Sequence, residues 1–348
     1  MSESNTQFEN RKRDHIRIAL DPRSQTEGQT GLDSIELVHE ALPDLNFKEV
    51  DISTSFSFSK APSFSLSSPI FISSMTAGHE HGREINERLA RLSDRRQILM
   101  GVGSQRRELN DTNAAQEWTQ VRKSAPKARL LGNIGIAQLI KTPLDDIRRL
   151  VNATEAVALF VHVNPLQEAL QPEGTTDFKN SLQAIENLVK FAEVPVIVKE
   201  VGCGFSVSTL KRLEGTGIAA VDVAGKGGTH WGRVEGYRSE ESAMLYHVAQ
   251  TFANWGISTV ESLRHAEAAQ VSYEVWASGG VRTGLDVAKL CALGAKKVGI
   301  AKPFLEAALQ SDEALENLLN RLETELKIAL FCTGSKNLAE LTNKKVVR

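Results

Sequence analysis

Residues Val275–Lys302 read VWASGGVRTGLDVAKLCALGAKKVGIAK. A short apolar run closes at Ser278, two glycines follow, and a stretch carrying Leu285, Ala288, Leu290 and Leu293 at helical spacing stops at Gly294. A second apolar run then occupies Lys297–Ile300. Strand, glycine turn, helix and strand in this order form a parallel crossover unit, with Gly294 as the expected helix C-cap. Working outward, six more apolar runs precede it: Ile70–Ser73, Ile98–Met100, Leu130–Ile134, Ala158–His162, Val196–Lys199 and Ala220–Val223. Runs such as PVIVKEV at 195–201 are apolar on consecutive positions, as in parallel strands covered on both faces. Helical stripes lie between them, for example Ile85, Leu89 and Leu92, then Leu182, Ile185, Leu188 and Val189. Eight alternations over about 250 residues predict a (β/α)8 TIM barrel. A doubly wound sheet, the rival architecture, usually has five or six strands.

The barrel is expected over 70–348, with 1–69 as an N-terminal extension of a chain that is one domain overall. Within the extension, Ser53–Ser68 (STSFSFSKAPSFSLSS) alternates Phe56, Phe58, Phe64 and Leu66 with serine on either side of Lys60-Ala61-Pro62. That pattern predicts a hairpin, placed to close the bottom of the barrel. About fifty residues separate the sixth and seventh strands, and the glycine-rich loop GKGGTHWGRVEG lies there, followed by a further helix. Leu305–Arg348 read as closing helices, and there is no internal repeat.

Composition narrows the function. The chain has 348 residues, 41 basic and 43 acidic side chains, and a net charge of -2. This balance is that of a soluble globular protein and argues against a general nucleic-acid binder. No apolar run approaches the ~18 residues of a membrane span. The opening MSESNTQFENRKRDH has no signal-peptide core, so a cytoplasmic location is expected. Three scattered cysteines, Cys203, Cys291 and Cys332, suit reduced thiols rather than a disulfide framework.

In barrels the site forms at the C-terminal ends of the strands. There the sequence delivers Met75-Thr76-Ala77-Gly78, Gly103-Ser104-Gln105-Arg106, Asn133-Ile134-Gly135, His162 with Asn164, Gln167 and Glu168, Lys199-Glu200, the loop 225–229, Gly279-Gly280 with Arg282, and Ala301-Lys302. Ser278-Gly279-Gly280-Val281-Arg282 together with Gly299-Ile300-Ala301-Lys302 matches the barrel phosphate cradle, where small residues admit an anion to backbone N–H groups. A tight turn needing glycine is the plainer explanation of the pair alone. Lys199 closes an apolar strand, so its ammonium needs an anionic partner or a lowered pKa; it suits a Schiff base or a fixed charge facing an anionic ring. Glu200, its neighbour, points to the opposite face. Glu168 is one carboxylate and cannot make a dedicated metal cage, but it suits Mg2+ shared with substrate phosphate oxygens. Arg11, Lys12 and His15 form either a solvated tail or an arm over the mouth that grips an anion; Arg11 and His15 share a face if the segment is helical.

These blocks together resemble the FMN-dependent type 2 isopentenyl-diphosphate isomerases: RKRDH at 11–15, TGLDSIELVHEALP, PIFISSMTAG, VGSQR, GNIG, VHVNPLQEALQPEG, VPVIVKEVG, DVAGKGGTHW and ASGGVRTGLDVAKLCALGA. The resemblance spans nearly the whole chain. It implies that FMN is held by Met75, Thr76, Ala77, Ser104, Asn133, Lys199, Ala224, Thr229, Gly279, Gly280, Val281, Ala301 and Lys302. It implies that the diphosphate substrate meets Arg11, Lys12, His15, Ser104, Gln105, Arg106, His162, Asn164 and Gln167. Catalytic roles fall on Gln167, Lys199 and His162, and Mg2+ on Glu168. The chain departs from the family at MTAG and DVAG, where MTGG and DVSG are frequent. The implied reaction is a 1,3-proton shift between isopentenyl and dimethylallyl diphosphate in isoprenoid biosynthesis. Reduced FMN would act as acid and base, NADPH as reductant, and the enzyme would be a homo-oligomer (tetramer or octamer). Two other functions compete. One is a flavin oxidoreductase such as a 2-hydroxyacid oxidase, whose signature places a histidine before the glycines, whereas His230 follows them here. The other is a non-catalytic flavin or phosphate-binding scaffold, which would need neither Gln167 nor Glu168.

Overall fold

The computed structural model of the chain describes residues 5–26, 28–75, 80–342 and 346–347. Eight parallel strands close on themselves: β1 (Ile70–Ile72), β2 (Leu99–Gly101), β3 (Arg129–Gly135), β4 (Ala158–Val163), β5 (Val196–Glu200), β6 (Ala220–Asp222), β7 (Glu274–Ser278) and β8 (Val298–Ile300). Each pairs with the next, and β8 returns to β1 with Gly299 opposite Phe71. The expected runs and the observed strands coincide in order and nearly in bounds. The period of two then sorts each strand. Ile70, Ile72, Met100, Val198 and Ile300 face outward into a layer shared with the helices. Phe71, Leu99, Leu131, Phe160, Ile197 and Trp276 face inward and fill the lower barrel.

The hairpin Thr54–Phe56 and Phe64–Leu66 closes this lower end as expected. Phe56 stacks on Phe64 at 4.9 Å, and both join the inner cluster. In its turn, Lys60 Nζ donates to the carbonyls of Val189 (2.5 Å) and Ala192 (2.8 Å), which pins the hairpin to the outer helices.

Seven helices matter for the site or its frame: α1 (Asn5–Leu20), α2 (Glu80–Arg96), α3 (Pro165–Leu170), α4 (Trp231–Arg238), α5 (Gly284–Ala292), α6 (Lys302–Gln310) and α7 (Asp312–Cys332). Helix α2 buries Ile85, Leu89 and Leu92 as its spacing predicts. Its basic end clasps α7 through Arg91–Asp312 (2.9 Å), Arg96–Glu316 (2.8 Å) and Arg96–Glu323 (2.5 Å). Two expectations need correction. In α5, Ala288 and Leu290 are buried as expected, but Leu285 is 46% exposed, and Val287 and Cys291 join the buried face in its place. The Thr283–Asp286 capping box sets the helix phase so that position 285 points outward. Gly294, at φ +102°, does terminate this helix. The chain also does not end in helices alone: after α7 and Leu338–Thr342, Val346–Val347 pairs antiparallel with Glu36–Leu37. Among the described residues no helix is long and apolar enough to cross a membrane.

Candidate active site

Two residues further along each strand, one layer above the inner apolar cluster, the same face turns polar. Leu131 is followed on its face by Asn133, Phe160 by His162, Ile197 by Lys199, Ala220 by Asp222 and Trp276 by Ser278. Register aligns His162 with Lys199 and Lys199 with Asp222, so these three form a row across β4, β5 and β6. The Lys199 ammonium donates to Asp222 Oδ2 at 2.6 Å and to Ser278 Oγ at 3.1 Å, and the Ser278 hydroxyl donates to Asp222 at 2.8 Å. Lys199 therefore has the anionic partner that its burial demands. That partner is Asp222, which is fully buried and which the sequence reading passed over. A lone acid in the apolar run Ala220–Val223 was the available signal. Glu200 faces away as expected, and its Oε2 accepts the N–H groups of Val201 (2.7 Å), Gly202 (2.7 Å), Cys203 and Gly204 (3.2 Å). Burial pushes the Glu200 carboxyl up to about 7 against the pull of those donors.

His162 Nδ1 lies 2.8 Å from Asn133 Oδ1, while Asn133 Nδ2 donates to the Val102 carbonyl. The amide orientation assigns the proton to Nδ1 and leaves the Nε2 lone pair free. The ring borders the cleft but is enclosed by protein otherwise. Burial first, then Lys12 and Lys199, lower its pKa to about 3, so it is neutral near pH 7.

The cleft above this layer is bounded on one side by Gly279, Gly280, Val281, Ala301 and Lys302, with Met75, Ser104, Ala224 and Thr229 around it. Gly279 and Gly280 have φ of +103° and +77°, which glycine alone adopts without strain. A Cβ on Gly228 would stand 2.6 Å from the Gly280 nitrogen, so the bare backbone leaves that amide approachable. Gly299 lines the cleft with them and serves a second purpose as well. Its missing side chain accommodates the Phe71 ring, 2.5 Å from where a Cβ would stand. Thr76 and Ala77 lie outside the described residues.

Helix α1 roofs the other side. Arg11 and His15 are buried on one face of it, and Lys12 lines the cleft beside them. His15 Nε2 meets Glu235 Oε1 at 3.0 Å and packs edge-on against Trp231 at 5.1 Å. The same carboxylate accepts from Gln167 Nε2 (3.0 Å) and Arg238 (2.6 Å). Gln171, with its nitrogen toward Glu235 (3.2 Å) and its oxygen toward Arg11 (3.0 Å), completes the cluster. Burial alone would raise the Glu235 carboxyl, but its partners outweigh it and hold it down at about 2. Burial also lowers His15 while Glu235 pulls it back up, and the Arg238 guanidinium adds a permanent positive charge beside the same carboxylate. Both Trp231 and Glu235 lie inside the stretch 225–236 that read as a glycine-rich loop; from Trp231 onward it is helix α4, capped by His230 accepting the Arg233 N–H, and only Trp231 was marked, as the last residue of DVAGKGGTHW.

One expected substrate contact is displaced. Gln105 is fully buried: its amide donates to the Leu150 carbonyl (3.2 Å) and its oxygen accepts the Asn133 N–H (3.0 Å). It braces β3 instead of entering the cleft, whereas Arg106 next to it does line the cleft. Asn164 and Gln167 are joined through Asn164 Nδ2 and Gln167 Oε1 at 2.9 Å. Glu168 accepts the Thr175 N–H at 2.5 Å and Asn164 Nδ2 at 3.3 Å.

Two groups implied by the sequence can be tested against this geometry. A flavin mononucleotide fits: the cleft offers glycine backbone and the N-terminus of nine-residue α6 for a phosphate, and the Lys199 ammonium on its floor. A divalent cation caged by protein does not fit, since no cluster of three or more His, Cys, Asp or Glu exists among the described residues. A Mg2+ ion shared with a phosphorylated ligand does fit. The Glu168 carboxylate lines the cleft, and Asn164, whose Nδ2 donates to it, keeps its Oδ1 buried without a hydrogen-bond partner; both are oxygen donors of the kind a hard cation takes.

Fold and cleft together define a flavin-type barrel, and comparisons agree. The family model for FMN-dependent dehydrogenases matches residues 146–348. Among solved structures, a mandelate oxidase with the C4a-OH-FMN adduct is similar at a TM-score of 0.63 and 16% identity, covering 97% of this chain and 98% of that one. A mandelate oxidase with (S)-mandelic acid gives 0.61 at 16% identity, covering 99% and 98%. These likenesses show the fold. Closer relatives narrow the class. The isopentenyl-diphosphate delta-isomerase of Bdellovibrio bacteriovorus is 79% identical over the whole of both chains. That of Legionella pneumophila (strain Paris) is 53% identical over 99% of each. That of Halobacterium salinarum is 43% identical over 99% of this chain and 95% of its own. The chain belongs to the isopentenyl-diphosphate delta-isomerase family.

Proposed function

We propose that the chain interconverts isopentenyl and dimethylallyl diphosphate by a 1,3-proton shift, with reduced FMN and Mg2+ in the cleft and NADPH as reductant. The observation that supports this best is that one cleft has two anion-receiving sides. Gly279–Gly280 with α6 form one, and the basic face of α1 with Arg106 forms the other. That suits a phosphorylated cofactor and a diphosphate substrate facing each other. Among the described residues Glu168 is the only carboxylate lining the cleft, so the side chains hold no acid–base pair for an unactivated alkene. Reduced FMN, when bound, supplies that acid and base, and its ring supplies negative charge beside the developing tertiary cation.

The chain's own residues then divide the remaining work. Arg11, Lys12 and Arg106 neutralise the diphosphate, and Glu168 with Asn164 shares Mg2+ with it. Gln167 donates to Glu235 and accepts from Asn164, so its amide is fixed where the five-carbon chain must lie. Lys199 provides a fixed cation on the floor. Helix α1 covers the cleft and limits water. The competing hydroxyacid-oxidase reading lacks its base: His230 is fully buried, with Nδ1 accepting the Arg233 N–H and Nε2 bound to the Trp255 carbonyl at 2.9 Å. The reading extends to a cytoplasmic homo-oligomer, and three free cysteines suit a reducing compartment.

The test is turnover of isopentenyl diphosphate in heavy water by the FMN holoenzyme with Mg2+, reduced or fully oxidised. The reduced enzyme should deliver deuterium into dimethylallyl diphosphate, and the oxidised one should be nearly inert. Equal rates in the two states would sink the proton-shift reading.

A further inference from the structure

We propose that Asp222 is a positioning residue for the cofactor. It fixes the Lys199 ammonium on the cleft floor, and its charge limits how strongly that ammonium draws electrons toward a flavin bound above. This rests on the reading of Lys199 as a flavin-facing group. Asp222 is fully exposed to neither solvent nor ligand: its side chain is buried, and Lys199, Ser278 and Ala224 stand between it and the cleft they line. It therefore acts through them. Its Oδ2 takes the Lys199 ammonium at 2.6 Å. The Ser278 hydroxyl contacts both of its oxygens, at 2.8 and 2.9 Å. Its Oδ1 takes the Ala224 N–H at 3.3 Å, at a residue held in the left-handed region at φ +36°. One carboxylate thus ties the ends of β5, β6 and β7 and the turn that follows β6.

The electrostatic consequence follows from burial. Charges in a poorly screened interior act strongly over several ångströms. Two-electron reduction of a flavin at neutral pH leaves negative charge on its ring, so a fixed cation below favours the reduced form and a fixed anion disfavours it. Lys199 and Asp222 together present a dipole whose positive end is nearer the cleft. Asp222→Asn removes the anion, keeps the shape and leaves an amide oxygen to receive Lys199. The reduced form should then gain. Lys199→Met removes the cation, and the reduced form should lose.

The experiment is the midpoint potential of bound FMN, measured by anaerobic dye-coupled reduction of the wild-type, Asp222→Asn, Lys199→Met and double-variant holoenzymes, with FMN affinity from fluorescence quenching. Asp222→Asn should shift the oxidised–reduced equilibrium toward reduced FMN by roughly tenfold, about 30 mV for a two-electron couple. Lys199→Met should shift it the other way, and the Asp222→Asn effect should shrink in the double variant. If Lys199→Met moves the potential and Asp222→Asn does not, the role assigned to Asp222 is overturned. If Lys199→Met leaves the potential unchanged, the reading of Lys199 fails, and this inference with it. Should Asp222→Asn not retain FMN, Ser278→Ala decides. Removing the hydroxyl that shares the Asp222 charge should lower the potential, and an unchanged or raised value overturns the proposal.

Discussion

A side chain on Gly299 would place its Cβ 2.5 Å from the ring of Phe71, a phenyl group with no exposed surface. Gly299→Ala must therefore displace Phe71 and, through it, Trp276, whose ring centroid is 5.4 Å away. Overpacking of this kind costs about 1–3 kcal/mol. The urea midpoint should fall accordingly with the slope unchanged, and an unaltered midpoint would show that the barrel floor yields freely. Glycine alone cannot announce such a role: Gly299 read as part of an anion cradle because Ala301 and Lys302 follow it, and the partner ring lies some two hundred and thirty residues earlier in the chain. Lys199 was legible because one cation in an apolar strand is an anomaly. Asp222 is the same anomaly with the opposite sign, but joining the two requires the register of β5 against β6, which composition does not carry.

Helix α1 contributes one face to the structure, with Arg11, His15 and Ile18 buried at i, i+4 and i+7. Such a polar helix draws most of its stability from packing and not from its own propensity. The His15–Glu235 contact is one of its ties to the barrel, and Glu235 also orients Gln167, so the roof and this cleft-lining amide share one carboxylate. Removal of residues 1–20 should leave the barrel folded and FMN bound. It should raise KM for isopentenyl diphosphate by about a hundredfold or more, the loss of two charge-assisted contacts at about 1.5–3 kcal/mol each. Unchanged KM would mean that the arm does not grip the diphosphate. At this scale the sequence was most informative, because eight buried strands and an alternating phenylalanine hairpin each have a period of their own. The pairing of Val346–Val347 with Glu36–Leu37 was not visible, since two residues have no period and their partner is distant. Glu235 was hidden likewise: it lies in a stretch that read as glycine-rich loop, where an acid is ordinarily solvated, and only tertiary packing buries it under α1.

For the whole molecule, the site's buried titratable groups set how stability varies with pH. His162, at about 3, and His15 and His230, also lowered chiefly by burial, are neutral in the native state. The unfolded chain protonates such groups near 6.5, so from there down to each ring's own lowered value, about 3 for His162, it binds protons that the native state refuses, and stability falls as pH falls. Glu235 adds a loss of the same sign between its ordinary 4.5 and about 2. Glu200 opposes them: raised to about 7, it holds its proton better in the folded state, so its effect favours the native protein as pH falls from 7 to 4.5 and is constant below. Above pH 4.5 the two tendencies partly cancel, and below it only the losses remain. Thermal melts of the holoprotein should therefore show a shallow decline in Tm from pH 7 to about 4.5 and a steep one beneath. His162→Asn, which retains the Asn133 contact through its amide and removes one titrating ring, should flatten the decline between pH 6.5 and 3. A variant whose Tm follows the wild-type slope throughout that range would show that the His162 ring is protonated as readily in the folded barrel as in the unfolded chain, and that neutral His162 is not what the cleft presents to its ligands.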